Sequence, residues 1–226
     1  MFGIVGLVAF VYGLSGQTAF EPVMITALLA LAAATARAKV NLYRGSTISF
    51  LTSTVLIAVI TEGPAVAVLV AICGVTIQTL FPFRKFVFYQ LIFNAGMIAV
   101  TVVGSWRTYD LLSDVQVTQT LPAQLTAIIM ASFVYFLGNS ISVSLIISVT
   151  SGISISSVWT NRFMLSSPSF IIAGLLSLFV VGLSGSHLVL VAAAMVVVIA
   201  FVYYCSIRFT EQPVVETTVY DVSSAA

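Results

Sequence analysis

Charged side chains are scarce in this chain, and their scarcity excludes an ordinary soluble fold. Only 8 Lys and Arg residues and 7 Asp and Glu residues occur among 226, whereas 60% of the residues are hydrophobic. A soluble domain of this size has too little interior to bury so many apolar side chains, but in a bilayer lipid covers the outward faces of the helices. The composition therefore predicts an all-α, polytopic integral membrane protein.

Cysteine and histidine are almost missing, which argues against a disulfide framework and against a metal centre. The two cysteines, Cys73 and Cys205, fall in different predicted helices, where we expect them to be small hydrophobic residues. The single histidine, His187, falls in a short connection, where we expect a surface residue rather than a metal ligand. We therefore expect no metal and no cofactor.

Ionisable residues are also missing from the middle of every apolar run. This excludes the usual proton relays, ion-coupling carboxylates and gating charges of membrane transport. Neither Lys39 nor Lys85 lies inside a run, which excludes a retinal Schiff base. The sequence also lacks a carboxylate dyad, a Cys and His cluster and a glycine-rich phosphate loop, so we expect that the protein is not an enzyme.

What the sequence does contain is a series of apolar runs. A helix rises about 1.5 Å per residue and the hydrocarbon core is about 30 Å thick, so about 20 residues cross it. The eight predicted spans are 1–15, 22–37, 47–61, 64–81, 86–105, 121–150, 167–183 and 187–207. The short runs at 1–15 and 47–61 are expected to tilt little, to thin the bilayer or to lie against protein. Pro22 and Pro64 are expected in first turns of helices, which do not need the missing N–H.

The basic residues predict on which side of the membrane each connection lies. Seven of the eight follow an even-numbered span, at positions 37, 39, 44, 84, 85, 162 and 208, and only Arg107 lies on the other side. Because Lys and Arg accumulate in cytoplasmic connections, both termini are predicted to be cytoplasmic. The alternation supports eight spans, or six spans preceded by a pair of half-spans. The bundle is predicted over 1–208 and a cytoplasmic tail over 209–226.

Uncharged polar side chains inside the predicted spans are the candidates for a binding site. The candidate ligand-binding residues are Gln78, Gln90, Asn94, Asn139, Ser140 and Ser144. Polar side chains in hydrocarbon need partners, so we expect these residues to face the interior of the bundle. Two interpretations stay open: hydrogen bonds between helices, worth about 1 kcal/mol or less each, or a pocket for an uncharged or amphipathic small ligand or lipid.

Aromatic side chains flank several basic residues at the ends of the predicted spans. Trp159 and Phe163 lie on either side of Arg162, and Trp106 lies beside Arg107. Tryptophan and tyrosine are enriched at the membrane–water interface, because they combine an apolar ring with a polar group that can bond to water. We therefore interpret these residues as interface anchors rather than as a ligand cage.

The tail over 209–226 is predicted to be a docking element for a protein partner. It is rich in valine and threonine, which favour an extended strand, and such a strand can add to the sheet of another chain. The candidate partner-binding residues are Pro213, Val215, Val219 and Tyr220. Packing of the tail against the protein's own cytoplasmic loops is the alternative.

Short motifs follow one another in a characteristic order between residues 39 and 179. They are Gly45-Ser-Thr-Ile-Ser-Phe-Leu51, Gly63-Pro-Ala, Val75-Thr-Ile-Gln-Thr-Leu80, Gln90-Leu-Ile-Phe-Asn-Ala95, Gly138-Asn139 and Ser167-Pro-Ser-Phe170. In order and spacing they resemble the membrane-embedded N-terminal region that precedes GGDEF or HD-type phosphohydrolase domains in certain bacterial signalling proteins. The resemblance implies an inner-membrane sensor module with a cytoplasmic output, in which Gln78, Asn94, Asn139 and Pro168 match. No output domain follows Arg208, so we expect a stand-alone module or an output on another chain.

Three function classes stay open. The resemblance favours a non-catalytic sensor or ligand-binding module that signals through a partner. The missing output domain and the lack of charge inside the spans favour a structural or accessory subunit of a membrane complex. Compact size and a polar interior favour the substrate-binding component of a small-solute transporter. A net charge of +1 gives no reason to expect nucleic acid as a partner.

Overall fold

The computed structural model describes residues 2–15, 20–36, 39–41, 47–80, 88–114 and 121–184. Its helices are α1 (Phe2–Ser15), α2 (Pro22–Thr35), α3 (Phe50–Thr61), α4 (Pro64–Leu80), α5 (Phe88–Asp114), α6 (Leu121–Ser151), α7 (Ile155–Arg162) and α8 (Ser167–Ser184). Two short strands, β1 (Lys39–Asn41) and β2 (Thr47–Ser49), pair antiparallel. A single turn of 3₁₀-helix, Met164–Ser166, connects α7 to α8.

The prediction of a helical protein is confirmed for the described part of the chain, with two corrections. The first seven predicted spans coincide with α1 to α6 and α8, whereas the eighth, 187–207, and the tail, 209–226, lie outside the described residues. The prediction of helix over residues 47–49 is wrong, because these residues form β2 and pair with β1. The short helix α7 was not predicted at all.

Local sequence signals account for the tight connection between α3 and α4. The backbone N–H groups of Glu62 and Gly63 both donate to the carbonyl of Ala58 in the last turn of α3. Gly63 has a φ of 89°, which a residue with a Cβ rarely adopts, so glycine is suited to this helix end. α4 then begins at Pro64, and α2 likewise begins at Pro22, as the sequence predicts.

The short helix α3 lies at the centre of the bundle. Each residue from Phe50 to Val59 is buried, and the helix packs against α2, α4, α5 and α8. Its 12 residues give a length of about 18 Å, well below the thickness of a hydrocarbon core. Protein rather than solvent or lipid therefore surrounds this helix, in agreement with the expectation that 47–61 lies against protein.

α5 and α6 are the two described helices that are long and apolar enough to cross a membrane. They contain 27 and 31 residues and pack against each other. α1 and α4 pack against α5, and α8 packs against α6. Large apolar side chains are exposed on the outer surface of the bundle, and on α1 they are Ile4, Val5, Leu7, Val8, Val11, Tyr12 and Leu14.

Small residues allow the helices to approach closely. A Cβ atom built on Gly6 of α1 would lie 2.5 Å from the Cα atom of Gly96 on α5, so the two backbones are in direct contact. Gly174 of α8 faces the side chain of Ser132 on α6 in the same way. Close packing at small residues is the usual means of association for helices in a membrane.

Candidate functional site

Two adjoining cavities lie inside the bundle, between α3, α4, α5, α6 and α8. The larger cavity has a volume of about 230 Å³ and the smaller one of about 140 Å³. Both are lined by Val75, Gln78, Ile98 and Asn139, so these four residues lie where the cavities meet. We call the two together the cavity pair.

The larger cavity approaches the end of the bundle at which α3 begins. Ser49, the last residue of β2, lines it, as do Phe163 and Ser166 from the connection between α7 and α8. Among the residues that the structure describes, those that line the cavity pair include no Asp, Glu, Lys or Arg. The described part of the cavity surface consists of amides and hydroxyls set among apolar and aromatic side chains.

Three polar groups in the larger cavity form no hydrogen bond with the described residues. They are the hydroxyls of Thr52 and Tyr135 and the side-chain amide of Asn139. Thr52 and Tyr135 are only 6% and 3% exposed. Among the described residues, the fully buried hydroxyls without a partner are those of Ser53 and Ser144, so the groups of Thr52, Tyr135 and Asn139 keep access to the cavity. A molecule in the cavity, either water or a ligand, would supply their partners.

Gln78 and Asn94 each use their amide N–H group to connect two parts of the fold. Gln78 Nε2 donates to the carbonyl of Ala36, at the end of α2, over 2.8 Å. Asn94 Nδ2 donates to Thr79 Oγ1 over 3.4 Å, and the Thr79 hydroxyl donates to the carbonyl of Val75 over 2.8 Å. The side-chain carbonyl oxygens of Gln78 and Asn94 have no partner among the described residues.

Ser140 connects the larger cavity to α7. The indole Nε1 of Trp159 donates to Ser140 Oγ over 2.9 Å, and the Trp159 ring lies 6.2 Å from that of Phe136. An indole N–H can only donate, so Ser140 Oγ is the acceptor. The Ser140 proton has only the Leu137 carbonyl nearby, at a distance of 3.4 Å that is long for a hydroxyl donor.

The structure brings together four of the six predicted ligand-binding residues: Gln78, Asn94, Asn139 and Ser140. Gln90 does not face the interior as expected, because it lies in the exposed first turn of α5, and it lines neither cavity. Ser144 is buried on α6 with no partner for its hydroxyl, but it lines neither cavity. Outside the described residues lie His187, Pro213, Val215, Val219 and Tyr220.

Sequence reasoning missed three residues of this site, Thr52, Tyr135 and Trp159. Tyr135 precedes Asn139 by four residues, so the two share one face of α6, and that spacing was an available signal. Trp159 was interpreted as an interface anchor. Its hydrogen bond to Ser140 joins two segments 19 residues apart, which no local pattern could indicate.

A third cavity, of about 360 Å³, lies beyond the opposite end of α3. It is lined by the carboxylates Glu21, Glu62 and Asp110, and Asp110 pairs with Arg107 over 2.8 Å. Burial, and secondarily the nearby charge of Glu21, raise the pKa of Glu62 above its usual value of 4.5. Within the described ranges, no group of three or more His, Cys, Asp or Glu side chains is arranged to hold a metal ion.

Comparison with protein families, curated proteins and solved structures finds no match to this chain. The resemblance to the sensor regions of bacterial signalling proteins therefore stays a prediction. The cavity pair has to be interpreted from its own chemistry. Among the described residues, its lining offers amide and hydroxyl groups without protein partners beside apolar side chains, a combination found in small-molecule sites.

Proposed function

We propose that the protein is a multi-pass membrane helix bundle of the inner membrane, with both termini in the cytoplasm. The length and apolarity of α5 and α6 support this, as do the apolar side chains exposed along α1. The distribution of basic residues supports the orientation, because seven of eight lie in connections on one side. In this orientation the larger cavity opens toward the cytoplasmic end of the bundle.

Within that bundle, the proposed function is the non-catalytic binding of a small neutral ligand, as in a sensor module. The observation that carries the proposal is the set of polar groups of Thr52, Tyr135 and Asn139 around one cavity, which have no hydrogen-bond partner among the described residues. A few polar groups that converge on one cavity among apolar and aromatic side chains are typical of a small-ligand site, in which they orient the ligand. A ligand that bonds to them would replace the hydrogen bonds that water makes there.

The connection from Ser140 to Trp159 supports a signalling role. α7 contacts the cavity wall through this hydrogen bond, and it lies at the end of the bundle assigned to the cytoplasm. A ligand that displaces or reorients the Ser140 hydroxyl would change the position of α7. A protein partner that docks on α7 or on the tail over 209–226 would then sense whether the cavity is occupied.

The proposal is tested by native mass spectrometry of the protein released from membrane vesicles in a mild detergent. We expect wild type to carry a bound small molecule that Asn139→Leu loses, because the leucine removes the central hydrogen-bonding group. Gln90→Leu is the matched control, since Gln90 is an exposed amide that lines neither cavity. The proposal is wrong if no small molecule accompanies wild type, or if both variants retain it equally.

One observation favours a second candidate function, that of a structural or accessory subunit. The amides of Gln78 and Asn94 form hydrogen bonds to Ala36 and Thr79, as interhelical packing alone would require. If Asn94→Leu lowers the stability of the bundle while binding of every small molecule stays unchanged, this second function is favoured. Co-purification of a stoichiometric membrane partner would favour it as well.

A further inference from the structure

We propose that the ligand is a compact, uncharged primary amide with an apolar body, bound with one N–H toward the side-chain carbonyl of Gln78 or Asn94 and its carbonyl toward Ser140. This inference rests on the proposed function and deepens it. It follows from the direction of each hydrogen bond that the cavity pair already makes, because those bonds fix which donors and acceptors are left for a ligand.

The side of the cavity pair formed by α4 and α5 offers acceptors. A backbone carbonyl can only accept, so the bond from Gln78 to Ala36 uses the N–H₂ end of the glutamine. Thr79 has a single proton, which it donates to Val75, so it must accept from the N–H₂ end of Asn94. Both side-chain carbonyl oxygens are left for a ligand that carries an N–H or O–H donor.

The side formed by α6 and α7 offers a donor. Trp159 Nε1 occupies an acceptor position of Ser140 Oγ, and the Ser140 proton has only a distant backbone carbonyl as its protein partner. Ser140 therefore presents its O–H to the cavity, and a ligand must place an acceptor there. Donor and acceptor preferences are thus opposite on the two sides of the site.

Asn139 lies between these sides, because it lines both cavities. Its amide has no protein partner among the described residues, so one edge of the side chain offers a donor and an acceptor together. The group that matches such an edge with two parallel hydrogen bonds is another amide with its N–H and carbonyl on the same side. A primary amide also keeps a second N–H for Gln78 or Asn94 and a second carbonyl lone pair for Ser140, whereas a lactam has no second N–H. An ion would lose its hydration without gaining a countercharge from the described lining residues, none of which is charged.

The rest of the larger cavity fits an apolar body. Phe163 and Phe170 line it, and the ring of Phe170 lies 6.0 Å from that of Tyr135. Aromatic rings at such spacings accept a further ring edge-on or offset. A flat apolar group attached to the amide is therefore the expected body of the ligand.

Three probes of nearly identical shape test the inference: benzamide, acetophenone and benzoate. Acetophenone keeps the carbonyl but replaces the N–H₂ group by a methyl group, and benzoate replaces it by a charged oxygen. Each probe is titrated into the full-length protein in lipid nanodiscs, in a Trp106→Phe background. Because the chain has 2 tryptophans, Trp159 is then the only one, and its emission reports on Ser140.

We expect saturable binding of benzamide, binding of acetophenone weaker by about fivefold or more for the lost N–H bond, and no saturable binding of benzoate. Asn139→Leu should bring benzamide to the affinity of acetophenone, whereas Gln90→Leu should leave both unchanged. Thermal stabilisation by the same probes is the second readout, in case Trp159 emission is insensitive.

The inference is overturned if acetophenone or benzoate binds as tightly as benzamide, or if benzamide does not bind by either readout. Neither result overturns the proposed function, which depends on the small molecule that accompanies the native protein. If no small molecule accompanies the native protein but benzamide binds as expected, the proposed function is overturned. The inferred arrangement of donors and acceptors in the cavity is then retained.

Discussion

Substitution of Gly6 by alanine is expected to destabilise the bundle, although alanine is the better helix former. Gly6 is buried on α1 at its crossing with α5. The added Cβ would lie 2.5 Å from Gly96 Cα and 3.1 Å from Gly96 O. These are backbone atoms that cannot rotate away, so the two helices must separate by about 1 Å to reach a normal contact distance.

The magnitude follows from two opposing terms. Alanine in place of glycine inside a helix contributes about 0.5–1 kcal/mol of stability. Overpacking in a close contact costs about 1–3 kcal/mol. A control isolates the first term: a Cβ at Gly104 on α5 meets only Val134 Cγ1, at an ordinary 3.7 Å. Gly6→Ala should therefore be about 1–3 kcal/mol less stable than Gly104→Ala, since the two differ by the overpacking term and little else.

Reversible unfolding by dodecyl sulfate in mixed micelles, followed by circular dichroism, measures this difference. Gly182→Ala is a second control, because nothing lies within 4 Å of its added Cβ. Equal unfolding midpoints for Gly6→Ala and both controls would refute the close packing of α1 on α5.

Three further predictions concern charge, hydrogen bonding and topology. Because the pKa of Glu62 is raised in the folded protein, the contribution of this residue to the free energy of unfolding is present below pH 4.5 and is lost as pH rises through the folded-state pKa. Glu62→Gln should remove this loss of stability. An unfolding profile with the same pH dependence in wild type and variant would contradict the prediction. Ser177→Ala should cost about 1 kcal/mol or less, because the buried hydroxyl shares its one proton between the Ser53 carbonyl of α3, at 3.0 Å, and the Ala173 carbonyl of its own helix, at 2.7 Å. The exposed Ser151→Ala should cost nothing measurable. Cysteines placed at positions 44 and 110 should react with impermeant reagents from opposite sides of the membrane, and labelling of both from one side would contradict the orientation.

The helices of the bundle were the part most open to prediction from sequence. Long apolar runs with proline at their starts mark α2 and α4, and the structure places both starts at the predicted prolines. The β-hairpin and α7 were missed because three-residue strands and an eight-residue helix are too short for a periodic pattern. α7 had one local signal, Ser154, whose side chain accepts from the backbone N–H of Ser157 at the start of the helix.

The site was only partly predictable for a different reason. Polar side chains in apolar runs had to face inward, and this argument found Gln78, Asn94, Asn139 and Ser140. Whether such a side chain bonds to a neighbouring helix or borders a void depends on distances that only the packed bundle sets. Gln78 donates a hydrogen bond to the carbonyl of Ala36 at the end of α2, whereas Asn139 has no protein partner among the described residues. No pattern in the sequence distinguishes these two amides.

The most direct test is an experimental density map of the protein in lipid nanodiscs, at a resolution that resolves small molecules in the larger cavity. We predict non-protein density, larger than a single water, within hydrogen-bonding distance of the Asn139 amide and of the Thr52 and Tyr135 hydroxyls. A cavity that holds only isolated waters, or one that is closed because Asn139 bonds to a neighbouring helix, would contradict the proposal that this bundle binds a neutral ligand.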